Sequence, residues 1–263
     1  MNHFLVPVHL LFTVFVSTAW AQVTQRVVDI PARPGVTQRI MLLSPDNPKS
    51  AVILFPGGHG GLQMSSNGSS KWGKGNFLVR TSDVFAAQGL LVAVVDAPSD
   101  RQSPPYLGGF RQKPEHVADI KAVIAWLKQQ AKAPVWLVGT SRGTQSAAFI
   151  ATQLPVAEGG PDGLVLTSTI LSDDKGRPVP DMDLNKIAVP VLVVHHRQDG
   201  CKQTAYAELP RLMDKLSASP RKELLTFDGG QNRGDPCEAF AYHGFNGIER
   251  DVVIKVVEWV VAK

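Results

Sequence analysis

Gly139-Thr140-Ser141-Arg142-Gly143 decides how this chain is read. It has the form G-x-S-x-G. An apolar run, Ala133 to Val138, precedes it, and a helix-like run, Thr144 to Leu154, follows it. A serine on a sharp strand-to-helix turn has its hydroxyl pushed out at the top of a sheet, where a base reaches it. Such a turn is tightly packed, so glycines flank the serine. Without that setting the pattern is an ordinary Gly-rich loop; between a strand and a helix it is a candidate nucleophile.

Working outward, short continuous apolar runs alternate with helical patterns. The runs are Ala51–Phe55, Leu90–Val95, Val135–Val138, Leu164–Leu166, Val191–Val194 and Leu224–Phe227. Runs of this kind fit strands buried on both faces, as in a parallel sheet covered by helices. Helices are predicted near Ser82–Gln88, Glu115–Ala131, Thr144–Leu154, Gln203–Leu216 and Gly247–Ala262. In the second of these, Val117, Ile120, Val123, Ile124 and Leu127 share one face, as core residues do. Two alternating segments come first, Val23–Ile30 and Val36–Leu43, with Pro34-Gly35 as a hairpin turn between them. The pattern predicts an α/β fold: a doubly wound, mostly parallel sheet with antiparallel N-terminal strands. No repeat and no Pro/Gly/Ser-rich linker divides the chain, so residues 22–263 read as a single domain.

A serine hydroxyl needs a base, and the base needs an orienting group. This strand-turn-helix arrangement uses the order Ser…Asp…His. Asp199 follows the run Val191–Val194, and His243 follows Leu224–Phe227, so Ser141, Asp199 and His243 would meet at one sheet edge. Asp173, Asp174 and Asp228 compete for the acid; His59, His116, His195 and His196 compete for the base. Negative charge on a reacting oxygen needs N–H donors. The backbone N–H of Arg142 is one candidate. Gly58, in Phe55-Pro-Gly-Gly-His-Gly-Gly61, is the other, with His59 next. The same loop read as a phosphate cradle lacks the Lys-Ser/Thr of a P-loop. His195, His196 and Asp199 form the one metal-like cluster, but neighbours on a strand point to opposite faces, so no metal site is assigned. Nothing in the sequence calls for a cofactor.

The N-terminus differs in character. Phe4 to Ala19 is apolar and nearly uncharged, and Ala19-Trp20-Ala21 matches an A-x-A cleavage signal. Residues 1–21 therefore read as a signal peptide, though the segment lacks Lys and Arg. The rival reading is a membrane anchor, but the run is short against the ~20 residues a span requires. Export to the periplasm or medium is expected, with no membrane span after processing. Cys201 and Cys237 are the only cysteines, and an oxidising compartment favours joining them; two unrelated thiols are the alternative. The closed loop would add roughly 3–4 kcal/mol by chain entropy. The formal charge of +4 is spread without a Lys/Arg block or a basic stripe with aromatics, so nucleic acid binding is not indicated. Asn67-Gly68-Ser69 matches a glycosylation acceptor, a tripeptide frequent by chance.

The chain resembles the α/β-hydrolase fold superfamily from about Val36 to Val261. The residues that carry the likeness are Phe55–Gly61, Gly139–Gly143, His195–Cys201, and Cys237 through His243-Gly-Phe245. Within it, the chain is similar to small exported bacterial hydrolases related to dienelactone hydrolases. The resemblance implies a catalytic triad of Ser141, Asp199 and His243, and it brings Cys201 and Cys237 close. Pro56 stands where many lipases carry His. Many members carry a helical lid; the segment between Thr169 and Val191, with Pro178, Pro180 and Asp173-Asp-Lys, is too short for one. The expected activity is serine hydrolysis of carboxylic esters or other acyl compounds of small size. A serine peptidase or amidase, and a non-catalytic binding module, are the alternatives. Trp72, Phe77, Tyr106 and Phe110 are candidate pocket walls.

Overall fold

The computed structural model describes residues 23–174 and 176–262. The expected signal peptide, 1–21, lies outside the described residues.

The chain opens with a hairpin, β1 (Thr24–Arg33) and β2 (Val36–Ser44), turned at Pro34-Gly35. β3 (Ser50–Phe55) follows, then a long loop, two short helices, α1 (Phe77–Arg80) and α2 (Ser82–Ala87), and β4 (Leu90–Val95). A second long loop leads into α3 (Pro114–Ala131), β5 (Val135–Thr140), α4 (Gly143–Gln153) and β6 (Gly163–Thr167). β7 (Val191–His196), α5 (Leu209–Lys215), β8 (Lys222–Phe227) and α6 (Glu249–Val261) complete it.

The eight strands form one sheet in the order β1-β2-β4-β3-β5-β6-β7-β8. β2 pairs antiparallel with both β1 and β4; from β4 to β8 every pairing is parallel. β3, β4, β5, β6 and β7 are buried along their whole length, which is why each reads as an unbroken apolar run rather than an alternating one. Alternate residues feed two cores. Ile53, Leu137, Leu166 and Val193 pack with α3, α4 and α5; Val52, Val138, Val165 and Val194 pack with α1, α2 and α6.

α3 begins with Pro114, whose missing N–H is harmless in a first turn, and stops where Lys132 takes a left-handed conformation. The predicted helix Gln203–Leu216 is corrected. It is two 3-10 turns, Lys202–Thr204 and Tyr206–Glu208, followed by α5. Pro210 fits only the first turn of a helix, so an α-helix cannot run through it from Gln203. Among the described residues between β6 and β7 there are only two 3-10 turns, Val179–Asp181 and Leu184–Lys186, and no large lid. No helix among the described residues is long and apolar enough to cross a membrane.

Candidate active site

Ser141 and Arg142 alone separate β5 from α4. Ser141 has φ of +51°, a left-handed conformation that costs a non-glycine residue about 1–2 kcal/mol. Its surroundings hold it there. The Ser141 N–H donates to Thr167 O (3.1 Å), and Thr144 donates to Ser141 O through its N–H (2.9 Å) and its Oγ1 (2.6 Å). A Cβ on Gly143 would stand 2.0 Å from Phe55 O, and one on Gly139 would stand 2.6 Å from Gly143 O. Close approach of backbone to backbone therefore requires the two flanking glycines.

β7 ends at His196 and delivers Asp199 to the same edge. The carboxylate is fully buried and accepts three hydrogen bonds: Cys201 N–H on Oδ1 (3.0 Å), Thr204 Oγ1 on Oδ2 (2.8 Å) and His243 Nδ1 on Oδ2 (2.9 Å). Burial works against ionisation, but the hydrogen bond and charge of His243, with the Cys201 N–H, outweigh it and hold Asp199 below its ordinary value. A carboxylate only accepts, so Nδ1 of His243 carries the proton and Nε2 is the basic nitrogen. That Nε2 is buried and has no hydrogen-bond partner among the described residues. Ser141 Oγ therefore does not close a hydrogen bond to it. Ser168 Oγ donates to His243 O (2.7 Å), and Phe245, buried against Phe77 at 5.0 Å, anchors the turn that follows. The disulfide Cys201–Cys237 ties the segment after Asp199 to the segment before His243.

Ser141, Arg142, His243, Gly57, Gly58 and His59 line one cleft of about 440 Å³. The Arg142 N–H precedes the first turn of α4 and has no intrahelical partner. A Cβ on Gly57 would come within 2.9 Å of Ser141 Cβ, so the glycine loop lies directly over the serine. Asp96, at the end of β4, accepts from the backbone N–H groups of Leu62 (2.7 Å), Met64 (2.8 Å) and Ala97 (2.7 Å) and so fixes the far end of that loop. The His59 ring stacks on Tyr106 at 4.4 Å, and its Nδ1 accepts from Gly61 N–H at 3.1 Å.

The competing residues have other work. Asp173 is held bidentately by Arg142 (2.8 and 3.2 Å) and by Gln145 (2.9 Å). His195 Nε2 accepts from Thr169 N–H at 2.7 Å; His196 bonds to Gly229 O at 2.8 Å and stacks on Tyr242. His116 bonds to Ser146 Oγ at 3.0 Å, and Asp228 pairs with Arg197 at the surface. Of the four expected pocket walls, Phe77 lines the cleft; Tyr106 lies against His59, and Phe110 packs beside His116. Trp72 stands 49 % exposed beside His59. Phe240, 52 % exposed, lines the cleft, and nothing in its local sequence marks it. Thr204 and Ser168 are likewise invisible in the sequence, since their value lies in contacts made by folding.

No protein-family model matches the sequence, and no curated protein is similar to it in sequence. Solved structures do match it in three dimensions. A dienelactone hydrolase from Anabaena variabilis is 15% identical, with TM-score 0.61 over 90% of this chain and 97% of that one. An esterase from Pyrococcus furiosus is 16% identical, with TM-score 0.63 over 90% of this chain and 91% of that one. An alpha-beta serine hydrolase homologue from Coxiella burnetii is 18% identical, with TM-score 0.57 over 90% and 95%. At such identities the likeness speaks for architecture, and with the sheet order and the β5–α4 turn it shows that this chain has the α/β-hydrolase fold.

Proposed function

We propose that the protein is a serine hydrolase that cleaves small carboxylic esters through an acyl-enzyme on Ser141. One observation carries the reading: a buried Asp199–His243 pair, 2.9 Å apart, leaves a free basic Nε2 in the cleft that also holds the strained Ser141. His243 takes the proton of Ser141 as Oγ bonds to the acyl carbon. The carbonyl oxygen becomes an oxyanion, for which the N–H groups of Arg142 and of the Gly57–His59 loop, Gly58 foremost, are the donors. Collapse of this intermediate breaks the ester C–O bond, and His243 returns the proton to the leaving alcohol. Water, activated by the same imidazole, then releases the acid. Asp199 stays ionised and stabilises the imidazolium; its depressed pKa supports that role.

The structural neighbours, an esterase and a dienelactone hydrolase among them, favour esters over amides. Cleft size and the short β6–β7 connection support small soluble substrates and argue against activation at a lipid surface. The Cys201–Cys237 disulfide supports an oxidising compartment, and with it export after cleavage at Ala21, leaving 22–263 as one domain. The test is a panel of p-nitrophenyl esters of increasing chain length beside one aminoacyl anilide. Turnover of short esters without anilide turnover is expected. No turnover of any ester would refute the proposal, and preferential anilide cleavage would replace it with an amidase.

A further inference from the structure

Arg111 lies in the loop between β4 and α3 and is only 6 % exposed. Among the described residues none of its hydrogen bonds goes to a carboxylate. Nη1 donates to Ser146 Oγ (2.9 Å), and Nη2 donates to the carbonyl oxygens of Pro56 (3.0 Å) and Gly58 (3.2 Å). Buried cations ordinarily sit against an anion. Even half-buried Arg33 does so, holding Asp100 and Asp119. Around Arg111 the charge that matters is another cation, Arg142. Burial first, and Arg142 second, bring its pKa down to about 9, which still leaves a guanidinium at neutral pH.

The two carbonyls it holds are in the glycine loop over Ser141. In a trans peptide the C=O and the next N–H point in opposite directions. With Pro56 O and Gly58 O turned onto Arg111, the N–H groups of Gly57 and His59 are turned away from it. The Gly57–Gly58 peptide lies between these two anchored planes. Gly57, Gly58 and His59 all line the cleft with Ser141. A cation on a peptide oxygen also makes the N–H of that peptide a stronger donor. The anchor continues through Ser146, on the helix that begins at the serine turn, to His116 of α3 at 3.0 Å. The loop is pressed onto the guanidinium: a Cβ on Gly60 would come within 2.5 Å of Nη2.

We infer that Arg111 is the positioning residue of the oxyanion loop: it anchors and polarises the Pro56–Gly57 and Gly58–His59 peptides and thereby fixes the Gly57–Gly58 peptide held between them, so that the N–H groups of this loop, that of Gly58 included, are set for the transition state over Ser141. The inference rests on the acyl-enzyme reading proposed above. It goes beyond that reading by giving a reaction role to a buried arginine that touches no substrate. It also separates Arg111 from a second possibility. Arg111 lines a cavity of about 650 Å³ together with Lys113, Arg142 and Arg177, so a group that bound an anionic part of the substrate would stand in the same place.

Arg111→Lys, Arg111→Ala and Ser146→Ala, made in the full chain, decide between these roles. Hydrolysis of a short p-nitrophenyl ester is measured with binding of phenylboronic acid, whose tetrahedral adduct reports the oxyanion site. Arg111→Ala should lower kcat about 100-fold with KM unchanged, the scale on which a misplaced group costs rate. Boronate affinity should fall with kcat, and added guanidinium ion should restore part of the kcat of Arg111→Ala. If Arg111→Ala does not fold, Arg111→Lys and Ser146→Ala carry the test, with smaller losses of the same kind. Unchanged kcat in a folded variant overturns the inference. So does a rise in KM alone, which would make Arg111 a substrate-binding group. Wild-type kcat in the Arg111 variants beside an inactive Ser141→Ala sinks this inference and leaves the proposed function standing; an active Ser141→Ala sinks the proposed function itself.

Discussion

Mild acid should destabilise this protein well before its carboxylates titrate. His116 and His195 are 1 % and 0 % exposed. Burial, with the charges of Arg111 and Arg33, holds His116 at about 3; burial, against the pull of Asp199, holds His195 at about 4. An unfolded histidine titrates near 6.5. The folded values lie below the unfolded one, so the unfolded chain takes up protons first. Stability is therefore complete above about pH 6.5 and declines as pH falls toward the folded values. At pH 5 each imidazole forgoes about 2 kcal/mol relative to pH 7, or about 4 kcal/mol together. Asp199 and Asp29, held low by their partners, add their own losses only below about pH 4. Against a total stability of about 5–15 kcal/mol the histidine share is large. Urea unfolding followed by tryptophan fluorescence, with the disulfide oxidised, measures it at pH 7 and pH 5. His116→Gln keeps a partner for Ser146 Oγ and removes the titration, so it should halve the difference. Equal unfolding free energies at the two pH values would refute the reasoning.

Replacing Cys201 and Cys237 by serine opens a loop of sequence separation 36 and should cost about 4 kcal/mol by chain entropy. Activity should fall in the same variant, because the bridge steadies the backbone whose N–H, at residue 201, bonds Asp199; an unchanged thermal midpoint would count against the first statement and unchanged hydrolysis against the second. Thr204→Val removes a donor to a buried carboxylate, a bond worth about 1.5–3 kcal/mol. It should lower kcat about tenfold on the account that Thr204 steadies the acid, with Thr204→Ser close to wild type; equal losses in the two variants would contradict it. Gly57→Ala puts a methyl group 2.9 Å from Ser141 Cβ and should abolish turnover, with an overpacking cost of about 1–3 kcal/mol in stability; retained turnover would remove the glycine loop from the site.

The fold was legible because the buried strands write themselves as continuous apolar runs and the helices as one-sided patterns. Each predicted strand matches an observed one to within a few residues, and the Ser141 turn sits between β5 and α4. The predicted helix Gln203–Leu216 does not form in full, because Pro210 admits only a first helical turn and the Thr204 hydroxyl is engaged by Asp199. Asp199 and His243 could be nominated from their places after β7 and β8, and the structure brings them together. Thr204, Ser168, Phe240 and Arg111 could not. Ser168 acts on His243 across 75 positions and Arg111 on Pro56 across 55, and no local spacing encodes either contact. Arg111 looks like any loop arginine until its burial and its missing anion are seen. The sequence also left the glycine loop with a candidate donor but no means of aiming it.

The proposed chemistry stands on Ser141 as the nucleophile. Incubation with a fluorophosphonate, followed by intact mass and peptide mapping, tests it directly. One adduct per chain is expected, on the peptide holding Ser141, with loss of ester hydrolysis in step with labelling and no adduct in Ser141→Ala. An unlabelled wild-type protein, or labelling and hydrolysis that survive in Ser141→Ala, would contradict it.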